Sequence, residues 1–579
     1  MSATALLYGG TGAQGRPIAK RLLDKGFRVR AVSRQRAKAS ELEALGVEVF
    51  EGDLTDANSL KAANRGIDAL LLLLPVGFDR ARGVTMGRNA IDAAIDGGAS
   101  LIVYNSSGPI PASETGSATA DIKLEVARYL QVSRTNWIIL QPTIYLDNFV
   151  QAWAAPAIMR GVLAYPIPAS FKVAWLSWED NAAFSAAALS RPDLAQQSFL
   201  IGGPEELSGP ELAAKLARHL GRDVRFETTP LEQFEASING LLGPPCGTQL
   251  AVWYRWVAAQ ERSPYVGNSK EAARALGVAA AGVDEWMGRT MSNVVYGLYD
   301  QAQLNLQYSP RAPIGEEIFL SYLHRYAASS ETARKTLPAK LNVAYGPSGD
   351  ETLDLFTAGQ NAPLVVFLHG GYWRMLSKNE FSFPALPLVP QGIAFASVNY
   401  SLAPGVSLRE ITRQCRAAVA FLFRHAAELG IDANRIVLAG HSAGGHLGGM
   451  LLVGDWTKAF GVPNDVVKGA LLVSGLYDLE PIRLSVPQEW LNLSAADVDQ
   501  LSPIRLPPVG SAPIIVSYGG SESAEFKRQT DDFTAYWRRL GRRATSVSGA
   551  SFNHFDIALE LARPESSLTE ALVRLIREN

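Results

Sequence analysis

The sequence is poor in cysteine and carries no marked excess of charge of either sign. Its 579 residues include two cysteines, Cys246 and Cys415, which is too few for a disulfide framework or a Cys-x-x-Cys metal site. The 54 basic and 56 acidic residues give a net charge of −2, so the sequence lacks the electrostatic signature of nucleic-acid-binding proteins and of basic membrane-binding faces. We therefore expect small-molecule partners and no metal site.

Long apolar stretches are also missing. The apolar run Ala69–Val76 is far shorter than the ~20 residues that a membrane-spanning helix needs. The first ten residues lack a basic segment and lead directly into a predicted strand, so we expect no signal peptide. These features predict a cytoplasmic protein without membrane or nucleic-acid contacts, and they leave the formation of a homo-oligomer open.

The chain contains two series of short apolar strands that alternate with amphipathic helices. The predicted strands are Ala5–Tyr8, Val29–Ser33, Val47–Glu51, Ala69–Leu74, Leu101–Asn105 and Trp137–Gln141 in the first series, and Leu364–Leu368, Ala394–Val398, Ile436–Ala439, Ala470–Val473 and Ile514–Tyr518 in the second. This alternation predicts the α/β class with two parallel sheets, and one core rarely exceeds ~250–300 residues. We place a Rossmann-type domain at 1–290, with an irregular region from about 152 to 287, a linker at 291–298 and a second α/β domain at 299–579.

A glycine-rich motif follows the first predicted strand directly. Its residues are Gly9, Gly10, Thr11, Gly12, Ala13, Gln14 and Gly15. Glycines permit a tight turn and let the backbone approach a pyrophosphate at the positive N-terminus of the next helix. Between a strand and a helix the motif predicts dinucleotide binding, and the alternative is a glycine-rich turn without a ligand.

The residues after the second predicted strand favour NADP(H) over NAD. The strand ends at Ser33 and Arg34, followed by Arg36 and Lys38, and lacks the Asp or Glu that usually holds the ribose 2′-hydroxyl of NAD. Guanidinium groups can bind a 2′-phosphate, whereas the alternative is a solvated basic start of a helix. The other predicted cofactor contacts follow the third and fourth strands: Asp53, Leu54, Leu74 and Pro75.

These residues, with Ser106-Ser107-Gly108 and the segment Gln141–Phe149, resemble the NmrA-like group of atypical short-chain dehydrogenase/reductases over residues 1–287. The resemblance implies either NADPH-dependent reduction of enones, quinones or imines, or redox sensing without turnover. The Tyr-x-x-x-Lys pair of typical relatives is absent. Lys123 matches a lysine that many atypical reductases keep, and it is predicted to hold the nicotinamide ribose or supply a proton, unless it is a surface lysine. Tyr145 is a predicted proton donor and substrate contact, unless it only packs.

The second half contains the motif Gly-His-Ser-Ala-Gly at residues 440–444, directly after a predicted strand. A turn of this kind strains the serine and exposes its hydroxyl, so Ser442 is the predicted nucleophile. An earlier strand leads into His-Gly-Gly, as expected of an oxyanion loop. The backbone N–H groups of Gly370 or Gly371 and of Ala443 are predicted to face the developing oxyanion.

His554 is predicted to be the general base because of its position in the chain. Of the seven histidines, it alone follows the last predicted strand, which gives the order nucleophile, acid, histidine of α/β-hydrolases. The acid should follow the strand Ile514–Tyr518. Spacing from the preceding glycine favours Glu522, with Asp478 as the second choice and Glu525 as the third.

Further segments carry a second resemblance: Tyr299–Gln301, Tyr345–Pro347, Glu351–Phe356, His369–Arg374 and Asn553–Asp556. With the serine motif, they are similar to kynurenine formamidase-like (arylformamidase-like) α/β-hydrolases over 299–579. The resemblance implies cleavage of an aryl formamide or a small carboxylic ester through an acyl-enzyme. Tyr372 and Trp373 would stack on an aromatic substrate or only line the pocket wall.

The two resemblances together predict a bifunctional enzyme. An NADPH-dependent reductase would be fused to a serine esterase or amidase, and the two would act on successive small aromatic or heterocyclic intermediates. The alternative is a serine hydrolase regulated by an NADP(H)-sensing domain that does not turn over.

Overall fold

The computed structural model describes residues 2–151 and 154–579, apart from the side chains of residues 241 and 242. Ala152, at which the predicted irregular region starts, therefore lies outside the described residues. The chain divides into two compact units, Met1–Asn293 and Val294–Asn579. Within the described ranges, no helix is long and apolar enough to span a membrane.

The strands of the first unit are β1 (Thr4–Tyr8), β2 (Arg28–Ser33), β3 (Glu48–Glu51), β4 (Ala69–Leu73), β5 (Leu101–Asn105), β6 (Asn136–Pro142), β7 (Val162–Tyr165), β8 (Val173–Ala174), β9 (Gln197–Ile201), β10 (Glu206–Leu207) and β11 (Arg225–Thr228). Its helices are α1 (Gly15–Asp24), α2 (Ser40–Ala44), α3 (Ala57–Asn64), α4 (Arg80–Gly97), α5 (Ala118–Gln131), α6 (Ala155–Met159), α7 (Trp178–Leu189), α8 (Gly209–Leu220), α9 (Leu231–Leu242), α10 (Cys246–Ala258), α11 (Ser269–Leu276) and α12 (Val283–Met291). Short 3₁₀ helices cover Arg36–Ala39, Leu146–Val150 and Pro192–Leu194.

A seven-stranded parallel sheet in the order β3-β2-β1-β4-β5-β6-β9 forms the centre of this unit. Strands β1, β4 and β5 are buried at every position, since helices cover both faces of the sheet. The strand order reverses between β1 and β4, and ligands of such sheets bind at the carboxyl ends of the strands at this point. The doubly wound fold predicted from the sequence is confirmed.

The strands of the second unit are β12 (Val294–Tyr296), β13 (Tyr299–Asp300), β14 (Ala339–Ala344), β15 (Thr352–Phe356), β16 (Ala362–Leu368), β17 (Ala394–Val398), β18 (Ile431–His441), β19 (Gly469–Val473), β20 (Ile514–Ser517) and β21 (Ala544–Ser546). Its helices are α13 (Gln301–Gln307), α14 (Gly315–Thr336), α15 (Ala385–Leu388), α16 (Leu408–Arg424), α17 (Ala426–Leu429), α18 (Ala443–Leu451), α19 (Trp456–Phe460), α20 (Glu480–Arg483), α21 (Gln488–Leu491), α22 (Ala495–Leu501), α23 (Ala524–Arg539), α24 (Asp556–Leu559) and α25 (Ser567–Glu578). Short 3₁₀ helices cover Lys378–Glu380, Val389–Gln391, Pro503–Arg505 and Glu560–Ala562. The predicted linker 291–298 overlaps the end of α12 and the strand β12.

The second sheet has eight strands in the order β14-β15-β17-β16-β18-β19-β20-β21, and it is mixed rather than wholly parallel. Strand β15 runs antiparallel to both β14 and β17, while the six strands from β17 to the far edge are mutually parallel: β17, β16, β18, β19, β20 and β21. The prediction of a purely parallel sheet is wrong at this edge because the short loop 345–351 joins two antiparallel strands without a crossover helix. The parallel part brings the ends of β16, β18 and β20 to one edge of the sheet.

Candidate functional site

The serine of the Gly-His-Ser-Ala-Gly motif occupies a sharp turn between β18 and α18. Ser442 has a φ of 58° and a ψ of −119°, a conformation that strains a residue with a side chain. A Cβ atom on Gly444 would collide with the carbonyl oxygen of Leu368, and one on Gly440 with the carbonyl oxygen of Gly444. The flanking glycines are thus required for the turn to pack against β16, which is the geometry of a nucleophile elbow.

The hydroxyl of Ser442 lies at one end of a chain of hydrogen bonds. The Nε2 atom of His554 is 3.1 Å from the Ser442 Oγ, and its Nδ1 atom is 3.2 Å from the Glu522 Oε2. The other oxygen of Glu522 accepts hydrogen bonds from the backbone N–H of Gly519 at 2.7 Å and from the Ser474 hydroxyl at 2.5 Å. All three members of the chain are buried. An imidazole in this position can remove the hydroxyl proton while the carboxylate holds its other nitrogen.

The two other acids considered from the sequence have different partners. The Asp478 carboxylate accepts a hydrogen bond from the Arg505 guanidinium at 2.9 Å and another from the backbone N–H of Glu480 at 3.2 Å. Glu525 pairs with Arg528 through two hydrogen bonds of 2.7 and 2.9 Å. Of the three acids, the structure brings Glu522 to His554.

The predicted oxyanion loop passes beside the elbow. A Cβ atom on Gly370 would lie 3.2 Å from the Cβ of Ser442, and Ala443 opens α18 directly after the serine. Gly371, Tyr372 and the next residue all have positive φ angles, of 109°, 50° and 56°. Two backbone hydrogen bonds of 3.0 Å to the Gly371 carbonyl close this turn. The strained loop thus lies against the serine side chain, and Gly371 lines the cavity in front of it.

A cavity of about 340 Å³ opens in front of Ser442 and His554, and most of its walls are aromatic or apolar. Its lining includes Tyr308, Phe319, Leu323, Tyr326, Tyr372, Met375, Phe381, Trp490 and Phe555, with two cationic residues, Arg311 and Arg374. Of the described residues that line it, none is Asp or Glu. Trp373 is not part of this lining: it is fully buried and packs edge-on against His446, with ring centroids 5.0 Å apart.

The cavity wall that contains Trp490 could not be predicted from a sequence motif. The Trp490 indole N–H donates a hydrogen bond of 3.0 Å to the carbonyl oxygen of Tyr372, and the Arg374 guanidinium lies 4.5 Å from the Trp490 ring centroid. Trp490 belongs to the short helix α21, and the sequence around it has no pattern that marks a site. Tertiary packing alone joins it to the loop after His-Gly-Gly.

The glycine-rich motif of the first unit forms the turn between β1 and α1. Gly9 has a φ of 78°, and a Cβ atom there would lie 2.8 Å from the Cβ of Leu73. A Cβ atom on Gly15 would collide with the carbonyl oxygen of Gly9, so the helix starts in direct contact with the turn. The Gly12 N–H donates to the Gly9 carbonyl at 3.2 Å, and Ala13 and Gln14 complete the turn before α1. Such a turn leaves a helix N-terminus open to a pyrophosphate.

A cavity of about 370 Å³ lies beside this turn. Its lining includes Lys38 and seven of the predicted cofactor residues: Gly9, Thr11, Ser33, Arg34, Asp53, Leu54 and Pro75. Arg82 on α4 also lines it, and its guanidinium lies 4.8 Å from the Phe78 ring centroid. Arg36 is not part of the lining, and its guanidinium forms an exposed ion pair of 2.8 Å with Glu43.

The charges around this cavity act on Asp53. A backbone hydrogen bond from Thr55 lowers the pKa of the Asp53 carboxyl, and the positive charges of Arg34 and Arg82 lower it further. The cavity therefore combines one ionised carboxylate with a cluster of cations. Arg82 was missed in the sequence because its position on a helix carries no local signal.

A smaller cavity of about 30 Å³ lies at the ends of β4 and β5, and it is lined by Leu74, Pro75, Ser106, Ser107 and Lys123, among others. Burial lowers the pKa of the Lys123 ammonium group to about 8, and this group donates a hydrogen bond of 3.4 Å to the carbonyl oxygen of Ser107. The Gln14 side-chain oxygen accepts hydrogen bonds from the Tyr145 hydroxyl at 2.9 Å and the Ser107 hydroxyl at 3.2 Å. Tyr145 thus contacts the glycine turn rather than lining either cavity.

Metal-binding clusters are absent from residues 2–151 and 154–579, where no group of three or more His, Cys, Asp or Glu side chains is arranged to hold an ion. Fold and site geometry together define a chain of two enzyme-type modules: a Rossmann-type unit followed by an α/β-hydrolase unit. Comparisons with known proteins assign each module to a family.

The NmrA-like family matches residues 1–294, and the BD-FAE family matches residues 353–465. A kynurenine formamidase from Salmo salar is 32% identical over 290 residues, which cover 47% of this chain and 96% of that protein. An NAD(P)H azoreductase from Xenophilus azovorans is 31% identical over 244 residues, which cover 41% of this chain and 80% of that protein. The chain belongs to the NmrA-like family, and its C-terminal half belongs with the kynurenine formamidase-like α/β-hydrolases.

Among solved structures, the NADPH complex of an NADPH-dependent quinone oxidoreductase from Escherichia coli is similar to the first half. It is 24% identical, covers 50% of this chain and 99% of that chain, and has a TM-score of 0.43.

Proposed function

We propose that the C-terminal unit is a serine hydrolase that cleaves aryl formamides or small aryl esters through an acyl-enzyme. The observation that carries this proposal is the hydrogen-bonded chain from Ser442 through His554 to Glu522 at the base of an aromatic cavity. His554 takes the hydroxyl proton as Ser442 attacks the carbonyl carbon, and it then protonates the leaving amine or alcohol. Water attacks the acyl-enzyme in the second half of the reaction and releases the acid.

The oxyanion of each tetrahedral intermediate is stabilised by backbone N–H groups. Those of Gly370 or Gly371 and of Ala443 belong to the two segments that flank the Ser442 side chain. Fixed donors of this kind act in a dry site and need no reorganisation during the reaction, and losing one typically costs ~10²–10³ in turnover.

The lining of the cavity supports a substrate that is both aromatic and anionic. Tyr372 and Trp490 offer ring surfaces, and Arg374 adds a positive charge where the described lining holds no carboxylate. The similarity to kynurenine formamidases supports a formamide as the scissile group. A panel of formanilides and phenyl esters, each with and without a carboxylate on the ring, tests this. We expect the carboxylated aryl formamides to have the highest kcat/KM, and hydrolysis of aliphatic neutral esters alone would overturn the substrate assignment.

We propose that the N-terminal unit binds NADP(H) and is a reductase of small aromatic or heterocyclic compounds. The glycine turn at Gly9 leaves room for a pyrophosphate, and Arg34, Lys38 and Arg82 surround a cavity that would accept an adenosine with a 2′-phosphate. The bound cofactor would supply a hydride. Lys123 would then contact the nicotinamide ribose or donate a proton to the substrate.

Removing one cation from this cavity should change the affinity for NADPH but not the affinity for NADH. We expect Arg34→Gln to weaken NADPH binding by about 10–100-fold and to leave NADH binding nearly unchanged, because a hydrogen bond to a charged group contributes about 1.5–3 kcal/mol. Titration of each cofactor by fluorescence gives the two Kd values. Arg36→Gln is the matched control, since Arg36 is paired with Glu43 outside the cavity. Equal losses for NADPH and NADH would contradict the assignment.

The rate of reduction should depend on the charge of Lys123. Because burial lowers its pKa to about 8, the side chain is protonated below that pH and neutral above it. If Lys123 donates the proton, kcat for NADPH oxidation with a quinone should fall about tenfold per pH unit above pH 8. Measured from pH 6 to 10, this fall should disappear in Lys123→Met. An unchanged profile in the variant would exclude Lys123 as the donor.

The reductase and the sensor interpretations differ in turnover. The absorbance of NADPH is monitored in the presence of enones, quinones or imines. Oxidation of NADPH by one of these acceptors would support a bifunctional enzyme. If the hydrolase then cleaves the reduced product, the two units catalyse successive steps. If no acceptor is reduced while NADPH changes the rate of ester hydrolysis, the first unit is a regulatory NADP(H) sensor.

A further inference from the structure

A second buried histidine, His441, contacts the proposed general base His554. His441 is the last residue of β18 and directly precedes Ser442, and only 3% of its surface is exposed. Its Nε2–H donates a hydrogen bond of 2.8 Å to the backbone carbonyl oxygen of His554. The two imidazole ring centroids are 4.8 Å apart. The proton-transfer steps proposed above do not use this side chain.

The surroundings of His441 favour one neutral tautomer. The carbonyl of His554 accepts the proton on Nε2, while Nδ1 is buried and has no hydrogen-bond partner in the part of the chain that the structure describes. This nitrogen lies against the oxyanion loop, since a Cβ atom on Gly370 would be 3.2 Å from it. Burial and the neighbouring His554 lower the pKa of His441 to about 3, so the ring is neutral at pH 7.

Hydrogen bonds hold the loop that presents His554 at several places: Asn553 contacts Asp556 and Tyr322, and Gly549 forms a β-bridge with Gly519. This loop runs from the end of β21 to the start of α24. The imidazole is held from one side by Glu522, whereas the peptide unit is held by His441, and Tyr326 donates a hydrogen bond to the carbonyl oxygen of the next residue, Phe555. Because His441 and Ser442 are adjacent, the contact ties the base directly to the nucleophile elbow.

We propose that His441 is a positioning residue of the hydrolase: its neutral imidazole fixes the peptide of His554 so that the base stays within reach of the Ser442 hydroxyl. The inference rests on the proposed hydrolase function. The second residue of the Gly-His-Ser-Ala-Gly motif would then hold the His554 peptide. This task requires an uncharged hydrogen-bond donor at the position of the His441 Nε2 atom. A displacement of about 1 Å in such a group can cost ~10²-fold in rate.

Two amide substitutions distinguish this role from packing. In His441→Gln the side-chain nitrogen can reach the place of Nε2 and keep the bond to the His554 carbonyl, whereas in His441→Asn it reaches only the place of Nδ1. We expect His441→Asn to lower kcat by about 10–100-fold and to change KM less than threefold, because the aromatic walls of the cavity that His441 also lines are unchanged. His441→Gln should retain kcat within about fivefold. Steady-state kinetics on an aryl ester, with the Tm of each full-length variant, gives these values.

Each other outcome overturns the inference. If His441→Asn keeps full kcat, catalysis does not need the hydrogen bond to the His554 carbonyl. If the two variants lose kcat equally, the position of the donor nitrogen does not determine the rate. A His441→Gln chain that fails to fold also overturns it, since a donor at this place would then not replace the histidine. Failure of the hydrolase assignment is distinguished by Ser442→Ala, which would then leave ester cleavage unchanged whatever the His441 variants do.

Discussion

Replacement of Ser442 by alanine is expected to lower kcat for ester or formamide hydrolysis by about 10⁶-fold, the loss typical of removing the nucleophile from a hydrogen-bonded serine–histidine pair. The hydroxyl is the group within 3.1 Å of the His554 Nε2 atom, and alanine leaves no atom for that nitrogen to deprotonate. Because the serine is held in a strained backbone, the smaller side chain should not destabilise the unit. Initial rates on an aryl ester, measured with both proteins at equal concentration, give the ratio.

The same variant tests whether the two units work independently. NADPH binding should be unchanged in Ser442→Ala, because the glycine turn and its cations belong to the other unit. Cleavage of the ester at more than about a hundredth of the wild-type rate would refute the assignment of the nucleophile. A parallel loss of NADPH binding would show instead that the substitution had disturbed the whole chain.

Replacement of Glu522 by glutamine is expected to lower kcat by about 10⁴-fold, the effect of removing the negative charge that orients the histidine in a serine–histidine–acid triad. Glu522 accepts from three donors: the His554 Nδ1–H, the Gly519 backbone N–H and the Ser474 hydroxyl. A glutamine amide that kept its oxygen on Gly519 and Ser474 would present an N–H to His554. The imidazole would then carry its proton on Nε2 and could not accept one from Ser442.

Asp478→Asn is the matched control for this substitution. Asp478 accepts hydrogen bonds from Arg505 and from a backbone N–H, so its neutral replacement should change kcat less than threefold. The ratio of the two effects decides between the acids that sequence spacing leaves open. If Asp478→Asn lost more activity than Glu522→Gln, the assignment of Glu522 as the acid that pairs with His554 would be wrong.

The strands of both sheets could be predicted where they are buried on both faces. In β1, β4 and β5, burial at every position requires an unbroken apolar run, which is easily recognised in a sequence. Strand β14 lacks this signal because it is an exposed edge strand, and β9 is mostly polar or half-exposed for the same reason. Strand β15 was missed although it is buried at all positions but the first, because Asp354 interrupts its apolar run.

The site residues divide in a similar way. Ser442 lies in a local motif, and the chain order of α/β-hydrolases points to His554, so both could be proposed before any distance was known. Glu522 could be ranked first by spacing alone, but only its hydrogen bond to His554 separates it from Asp478. Trp490 carries no local pattern, because its place in the cavity results from packing between segments distant in sequence.

If Ser442 forms a covalent acyl intermediate, an irreversible serine-directed inhibitor should label this residue. The intact protein is incubated with an aryl fluorophosphonate, which phosphonylates an activated serine with loss of fluoride, and the modified peptide is identified by mass spectrometry. We expect one adduct per chain, on Ser442, formed at least a hundredfold more slowly in Glu522→Gln. An adduct on a different residue, or full ester hydrolysis by a chain in which Ser442 stays unmodified, would contradict this mechanism.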